Sequence, residues 1–200
     1  MKPIEVKSLT TNLQDEITQR LLNSVLAGNI DVLNREMQII GLKEEKEIAS
    51  LVDDQSYNQN ALFSSCQVKN DQKAMEMTMY LINSCGCDPA MLDTLNQTCL
   101  FYVARDGREE LARLFIQKGC KANQIDSYGQ TPIFYAAREG NLNVMKVLIE
   151  AGANGDHVDE EGQTPIFYAV RSEKLACVEY LVEKCTLNLN RNDSKGQNLI

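Results

Sequence analysis

Two hundred residues with 44% hydrophobic content are enough for a sizeable folded core, and the net charge of -8 is spread along the chain rather than gathered in a tail. That balance excludes a basic nucleic-acid-binding arm, so neither DNA nor RNA is expected as a partner. No apolar stretch reaches the roughly 18 residues of a membrane helix, and Met1 opens no basic-then-apolar secretion signal, so no membrane association is expected.

Residues 1–54 read as a helical start. Within them Leu21 to Met37, LLNSVLAGNIDVLNREM, has the look of a degenerate capping repeat whose Gly28-Asn29-Ile30 aligns with Gly140-Asn141-Leu142. Lys43-Glu44-Glu45-Lys46-Glu47 reads as a solvated helix face. Residues 55–92 form a relaxed repeat, in which Tyr57-Asn58-Gln59-Asn60-Ala61-Leu62-Phe63 stands over Tyr128 to Phe134. About five extra residues around Asn70 to Ala74 are expected to lengthen the link between its helices. Cys85-Gly86-Cys87 followed by Asp88-Pro89 has the composition of a helix-end turn, and two thiols one residue apart make a poor metal site.

Three closer copies follow, at 93–125, 126–158 and 159–192. The second and third open DSYGQTPIFYAAREGN and DEEGQTPIFYAVRSEK, 33 residues apart, and the first opens DTLNQTCLFYVARDGR, with Cys99 in place of Pro132 and Pro165. Residues 193–200 begin a further copy and stop within its first helical turn, so the natural protein is expected to continue. The seven cysteines are odd in number and lack a CxxC pair, which reads as free, packed thiols in a reducing compartment, the cytoplasm or nucleus. His157 is the only histidine and has no ligand or serine motif around it. No phosphate loop, dinucleotide fingerprint, zincin or hydrolase string occurs, so no catalytic residue, metal or cofactor is expected.

Each signature residue has a local physical role. Thr131 and Thr164 suit helix N-caps, and Pro132 and Pro165 suit the first helical position, where the missing N–H costs nothing. Ile133, Ala136 and Ala137 share one helix face and are small enough for close packing. Gly140 ends that helix. Leu142, Val144, Met145, Leu148 and Ile149 give the stripe of a second helix, closed by Gly152, and the segment from Ala153 to Gly162 reads as a turn-rich hairpin. Each copy buries its face only against its neighbours.

The 33-residue period and the T-P-[LI]-x-x-A-A signature resemble the ankyrin-repeat family over residues 18–200, which implies an all-α fold: an α-solenoid of helix-turn-helix units with a β-hairpin or turn in each. Where that family has His after T-P-L, this chain has Phe63, Phe101, Phe134 and Phe167, so an aromatic column is expected to replace the inter-repeat hydrogen bonds. The family also has a hairpin position that can be hydroxylated, here Asn123 and Asn190.

The resemblance implies a protein or extended peptide as partner, gripped by hairpin tips and the inner-helix face, with the chain itself a monomer and not an enzyme. Carried onto this sequence, the tips are Thr94-Leu95-Gln97, Ser127-Tyr128-Gln130 and Glu160-Glu161-Gln163. The helix face is Tyr102, Arg105 and Asp106, then Tyr135, Arg138 and Glu139, then Tyr168, Arg171 and Ser172. Spacings of three and four put each set on one face. Tyr and Arg dominate binding hot spots, and a row of arginines favours an acidic or phosphorylated partner. The opposing reading is that each Tyr packs against its Arg and only stiffens the array. A second functional reading is the amino-terminal regulatory domain of a longer enzyme, such as a lysine methyltransferase or protein kinase, where the tyrosines with Asp106 and Glu139 could imitate a methyl-lysine cage.

Overall fold

The computed structural model describes residues 5–42, 45–53 and 58–198. Gln55, Tyr57, Lys43, Glu44, Leu199 and Ile200, to which readings above refer, lie outside them. The described residues form ten α-helices and one two-residue β-ladder, and divide into compact units at Met1–Asp88 and Pro89–Ile200.

In the first unit α1 (Glu5–Leu26) packs on α2 (Ile30–Ile40). Asn29 starts α2: its side-chain oxygen accepts the N–H groups of Asp31 and Val32, two of the donors that a helix start leaves unpaired. Gly41 stops it in the left-handed region. Glu45–Ser50 forms a 3-10 turn rather than the expected α-helical face, although Lys46 and Glu47 are solvent-exposed. Strands β1 (Val52–Asp53) and β2 (Gln59–Asn60) pair antiparallel, Val52 opposite Asn60, and lead into α3 (Ala61–Ser65).

Helix α4 (Asp71–Asn83) starts earlier than the sequence suggested. Asn70 is its N-cap, accepting from the Lys73 N–H at 2.9 Å, so residues 71–74 extend the helix instead of the link. Cys85, Gly86 and Cys87 form the turn that ends it, with the Cys87 N–H returning to the Leu81 carbonyl. Burial and the neighbouring Cys85 push the Cys87 thiol up to about 12, so it is an inert packed thiol rather than a thiolate ligand.

The second unit contains three helix pairs: α5 (Cys99–Asp106) with α6 (Glu109–Gln117), α7 (Pro132–Glu139) with α8 (Leu142–Glu150), and α9 (Pro165–Arg171) with α10 (Leu175–Lys184). Helices α5, α7 and α9 pack side by side in one layer, and α6, α8 and α10 in the other. The close approach in the first layer comes from Ile133, Ala136 and Ala137, all fully buried. In α8 the buried stripe is Val144, Met145, Val147 and Leu148, while Leu142 and Ile149 are half-buried.

The N-caps depart from expectation. Thr131 and Thr164 occupy the cap positions with extended backbone, yet neither side chain makes a cap bond, and the Thr131 hydroxyl oxygen is buried without a partner. The Phe134 and Phe167 N–H groups turn back to the threonine carbonyls, as that of Phe101 does to Thr98, and Pro132 and Pro165 carry no N–H at the first helical position. Thr98, which precedes Cys99 rather than proline, does cap, at 3.3 Å from the Leu100 N–H.

Gly107 and Gly140 end α5 and α7 with φ of 74° and 84°. A Cβ on Gly107 would stand 2.7 Å from Asn141 Oδ1, and that Asn141 side chain donates to the Ala104 and Arg105 carbonyls at the end of α5. The open carbonyls of one repeat are thus closed by the next.

Candidate functional site

The face of α5, α7 and α9 is organised from the turn that precedes each helix. Asp126 folds that turn: its Oδ1 accepts the N–H groups of Tyr128 and Gln130, each at 2.9 Å, while its own N–H pairs with the Gln130 carbonyl. Asp93 and Asp159 build the same turn with Leu95 and Gln97, and with Glu161 and Gln163. The second carboxylate oxygen is left facing inward, where the tyrosine nine residues later reaches it. The Tyr102, Tyr135 and Tyr168 hydroxyls donate to Asp93, Asp126 and Asp159 at 2.7, 2.7 and 2.8 Å.

Glutamine then joins repeat to repeat. Gln97 Nε2 donates to Asp126 Oδ2 and to the Tyr135 hydroxyl, both at 2.7 Å. Gln130 Nε2 donates to Asp159 Oδ2 at 3.0 Å and to the Tyr168 hydroxyl at 2.7 Å. Gln97, Gln130 and Gln163, assigned above to exposed hairpin tips, are therefore buried cross-links. The expected loss of inter-repeat hydrogen bonds does not occur, because glutamine supplies them. The phenylalanines add edge-on contacts to the next tyrosine: Phe101 to Tyr135 and Phe134 to Tyr168, each with ring centroids 5.6 Å apart. Phe63, Phe101 and Phe134 are fully buried and Phe167 half-buried.

This network fixes the tyrosines electrostatically. Burial, reinforced by donation to a carboxylate, pushes the Tyr168 phenol up to about 12, and raises Tyr102 and Tyr135 further by the same causes. They stay neutral hydrogen-bond donors across the physiological range.

The arginines lie outside the network, on top of it. Arg105, Arg138 and Arg171 stand over the rings of Tyr102, Tyr135 and Tyr168, with 5.1, 4.7 and 4.7 Å from guanidinium carbon to ring centroid. Two carry a counter-ion: Arg105 pairs with Asp106 at 2.9 Å and Arg138 with Glu139 at 3.5 Å. The hydrogen bond that Arg105 donates to Asp106 raises the arginine's pKa further. Ser172 replaces the acid after Arg171, which has no carboxylate partner among the described residues. The positive strip expected from sequence is thus partly neutralised, and its uncompensated charge sits on α9.

Each of these tyrosines has its own arginine over the ring and its hydroxyl engaged. Tyr128 is different: it is half-exposed at a hairpin tip, with only its backbone used, its N–H bound by Asp126 and its carbonyl accepting from the Glu160 N–H.

His157 and Asn123 are engaged within the array, while Asn190 is exposed. His157 places Nε2 3.0 Å from the Gly129 carbonyl and its ring edge-on to Phe134. Asn123 bridges two loops, donating to the Gly152 carbonyl and accepting from the Asn154 N–H. All seven cysteines are free thiols, and no cluster suited to a metal ion occurs among the described residues. No helix among them is long and apolar enough to cross a membrane.

The sequence reading missed the Asp-Tyr-Gln network. Its signal was present: Asp93/Gln97, Asp126/Gln130, Asp159/Gln163 and Asp193/Gln197 recur at constant offset, and a glutamine that never varies at a supposedly exposed tip is a candidate for a buried partner.

Comparison with known families agrees with this architecture. A family model described as ankyrin repeats (3 copies) matches residues 68–159, and one described as ankyrin repeat matches 161–191. A search of curated proteins returned no match. Ankyrin repeats are generally protein–protein interaction modules. The repeated helix pairs, their turn-built interfaces and these matches establish an all-α ankyrin-repeat solenoid, and the chain belongs to the ankyrin-repeat family.

Proposed function

We propose that the chain binds an extended, acidic or phosphorylated segment of a partner protein along Arg105, Arg138 and Arg171, with Tyr102, Tyr135 and Tyr168 as the platform that holds the row, Asp106 and Glu139 as its tuning acids, and Tyr128 as an aromatic contact at the rim. One observation carries the reading: three guanidinium groups recur at the same height over tyrosine rings whose hydroxyls are locked from below. Such arginines are pre-oriented, so less side-chain freedom is lost when a carboxylate or phosphate docks. Asp106 and Glu139 must yield their arginines to an anionic partner, which favours phosphate, with its higher charge, over a single carboxylate. The free thiols suit a cytoplasmic or nuclear setting, and the chain acts here as a monomer without cofactor or catalysis.

The test leaves the tyrosines untouched, because they belong to the repeat interfaces. The parent and an Arg105→Ala, Arg138→Ala, Arg171→Ala variant are matched for circular dichroism and melting, then used to recover partners from the native extract. Recovery should fall at least tenfold and should weaken with salt, each arginine contributing roughly 1 to 3 kcal/mol. Equal recovery of the same partners by both proteins refutes the arginine row and moves binding to the hairpin tips.

A further inference from the structure

The acid beside each stacked arginine comes from the arginine's own helix. Asp106 follows Arg105 and Glu139 follows Arg138, and each pairs with its arginine while the guanidinium stands over the tyrosine ring. In α9 the stack is the same, with Arg171 4.7 Å above Tyr168, but the next residue is Ser172. Its N–H bonds the Tyr168 carbonyl four residues back, so the backbone is still helical where the side chain leaves it. Serine is too short, and uncharged, to take the place of the acid. Phosphoserine is neither: from Cβ to its terminal oxygens it has as many bonds as glutamate, and it carries up to about two negative charges.

The position is also open to an enzyme. Asp106 and Glu139 are exposed although a following repeat packs against each of their helices, and Ser172 is half-buried with no hydrogen bond on its hydroxyl among the described residues. Glu173 after it is held at φ 58°, where α5 and α7 are followed by Gly107 and Gly140. A side chain in the left-handed region weakens the turn it belongs to, so this helix end opens more readily than its two counterparts into the extended segment that a protein kinase grips.

A second arginine borders the site. Glu139 acts across the repeat boundary too, adding to the field on Arg105 of the preceding repeat. Residue 172 stands to Arg138 as residue 139 stands to Arg105, so a dianion there lies between Arg171 and Arg138.

We propose that Ser172 is a phosphorylation site whose phosphate is held by Arg171, with Arg138 on its other side, and that the modification closes the arginine row to an anionic partner. A protein kinase transfers the γ-phosphoryl group of a nucleoside triphosphate. The bond from Ser172 Oγ to phosphorus forms, the bond from that phosphorus to the β–γ bridging oxygen breaks, the nucleoside diphosphate leaves with the oxygen, and the hydroxyl proton passes to the kinase's base. Hydrolysis of the new bond by water restores serine and releases inorganic phosphate. The clamp follows from the α7 geometry; its effect on partner binding rests on the function proposed above.

The experiment uses the full chain with phosphoserine installed at 172 during translation, beside the unmodified chain. Phosphorus NMR should place the second pKa of the phosphate about one unit or more below the roughly 6 of a free phosphoserine, because guanidinium favours the dianion, and Arg171→Ala should return most of the shift. A phosphate that titrates as a free phosphoserine, or one indifferent to Arg171→Ala, overturns the clamp. Mass spectrometry of the protein isolated from its source under phosphatase inhibitors should find phosphate on Ser172, and its absence overturns the modification. Partner recovery from the native extract should fall at least tenfold for the phosphorylated chain. Undiminished recovery overturns the regulation when the Arg105→Ala, Arg138→Ala, Arg171→Ala variant does lose its partners. Where that variant keeps them, the row and its regulation fall together, while the titration and the mass spectrum still decide the clamp and the modification.

Discussion

The α7/α8 and α9/α10 repeats begin with the same signature, yet their environments make unequal use of it. Phe134 is fully buried against Tyr168 and His157, whereas Phe167 is half-buried. Gly140 ends α7 in the left-handed region, but Glu173 must adopt the same region, at φ 58°, after α9. Helix α10 exposes Leu175, at 67%, and Val182, at 50%, while α8 buries its apolar stripe. A shared opening signature therefore does not mean equal packing in a repeat array, because each copy buries its face against its neighbours.

Replacing Ala136 by Asp attacks that interface most severely. It puts an unpaired charge between fully packed helices, and a loss of roughly 3 to 5 kcal/mol is expected in urea unfolding. An unchanged midpoint would mean that the α7 face is assigned wrongly.

Truncating the phenylalanines sharpens the comparison. Phe134→Ala should cost about 3 to 5 kcal/mol, and Phe167→Ala no more than about half as much, since less of its ring leaves water on folding. Equal costs would show that the α9 end is as tightly packed as the middle.

Raising the pH tests the phenols. Tyr168 titrates near 12 when folded, above its ordinary value of 10, so its contribution is complete below pH 10 and lost as pH rises toward 12. The unfolding midpoint should fall across that window, and Tyr168→Phe should reduce the fall. A midpoint that is flat across that window in the parent would contradict the buried donation to Asp159.

The smallest effect is a gain. Glu173→Gly relieves a left-handed backbone and should stabilise by about 0.5 to 1 kcal/mol after glycine's greater unfolded freedom is deducted, while Gly140→Ala should destabilise. Opposite signs at two aligned positions, read by thermal melting, would isolate the backbone term from packing.

Much of this organisation was legible before any coordinates. The proline-led helix starts, the left-handed Gly140 and the small residues between helices follow from local rules, and local rules act within one repeat. What escaped was of longer range. Gln130 reads as a polar tip in its own repeat, and only the next repeat, bringing Asp159 and Tyr168, makes it buried. Thr131 was assigned a cap bond from residue type alone, and its side chain makes none. Arg138 shares a helix face with Tyr135, as a spacing of three implies, while its pairing with Glu139, which neutralises part of its charge, depends on rotamers that no spacing rule fixes.

The proposed division of labour has the tyrosine hydroxyls bind repeat to repeat and the arginines above them bind the partner. Urea unfolding of Tyr135→Phe against Arg138→Ala measures it most directly. Removing the hydroxyl takes one hydrogen bond from Asp126 and one from Gln97, which keep the bond between them, and should cost about 1 to 3 kcal/mol, whereas removing the half-exposed guanidinium should cost less than about 1. If Arg138→Ala costs as much as Tyr135→Phe, the arginine row is part of the scaffold and the division does not hold.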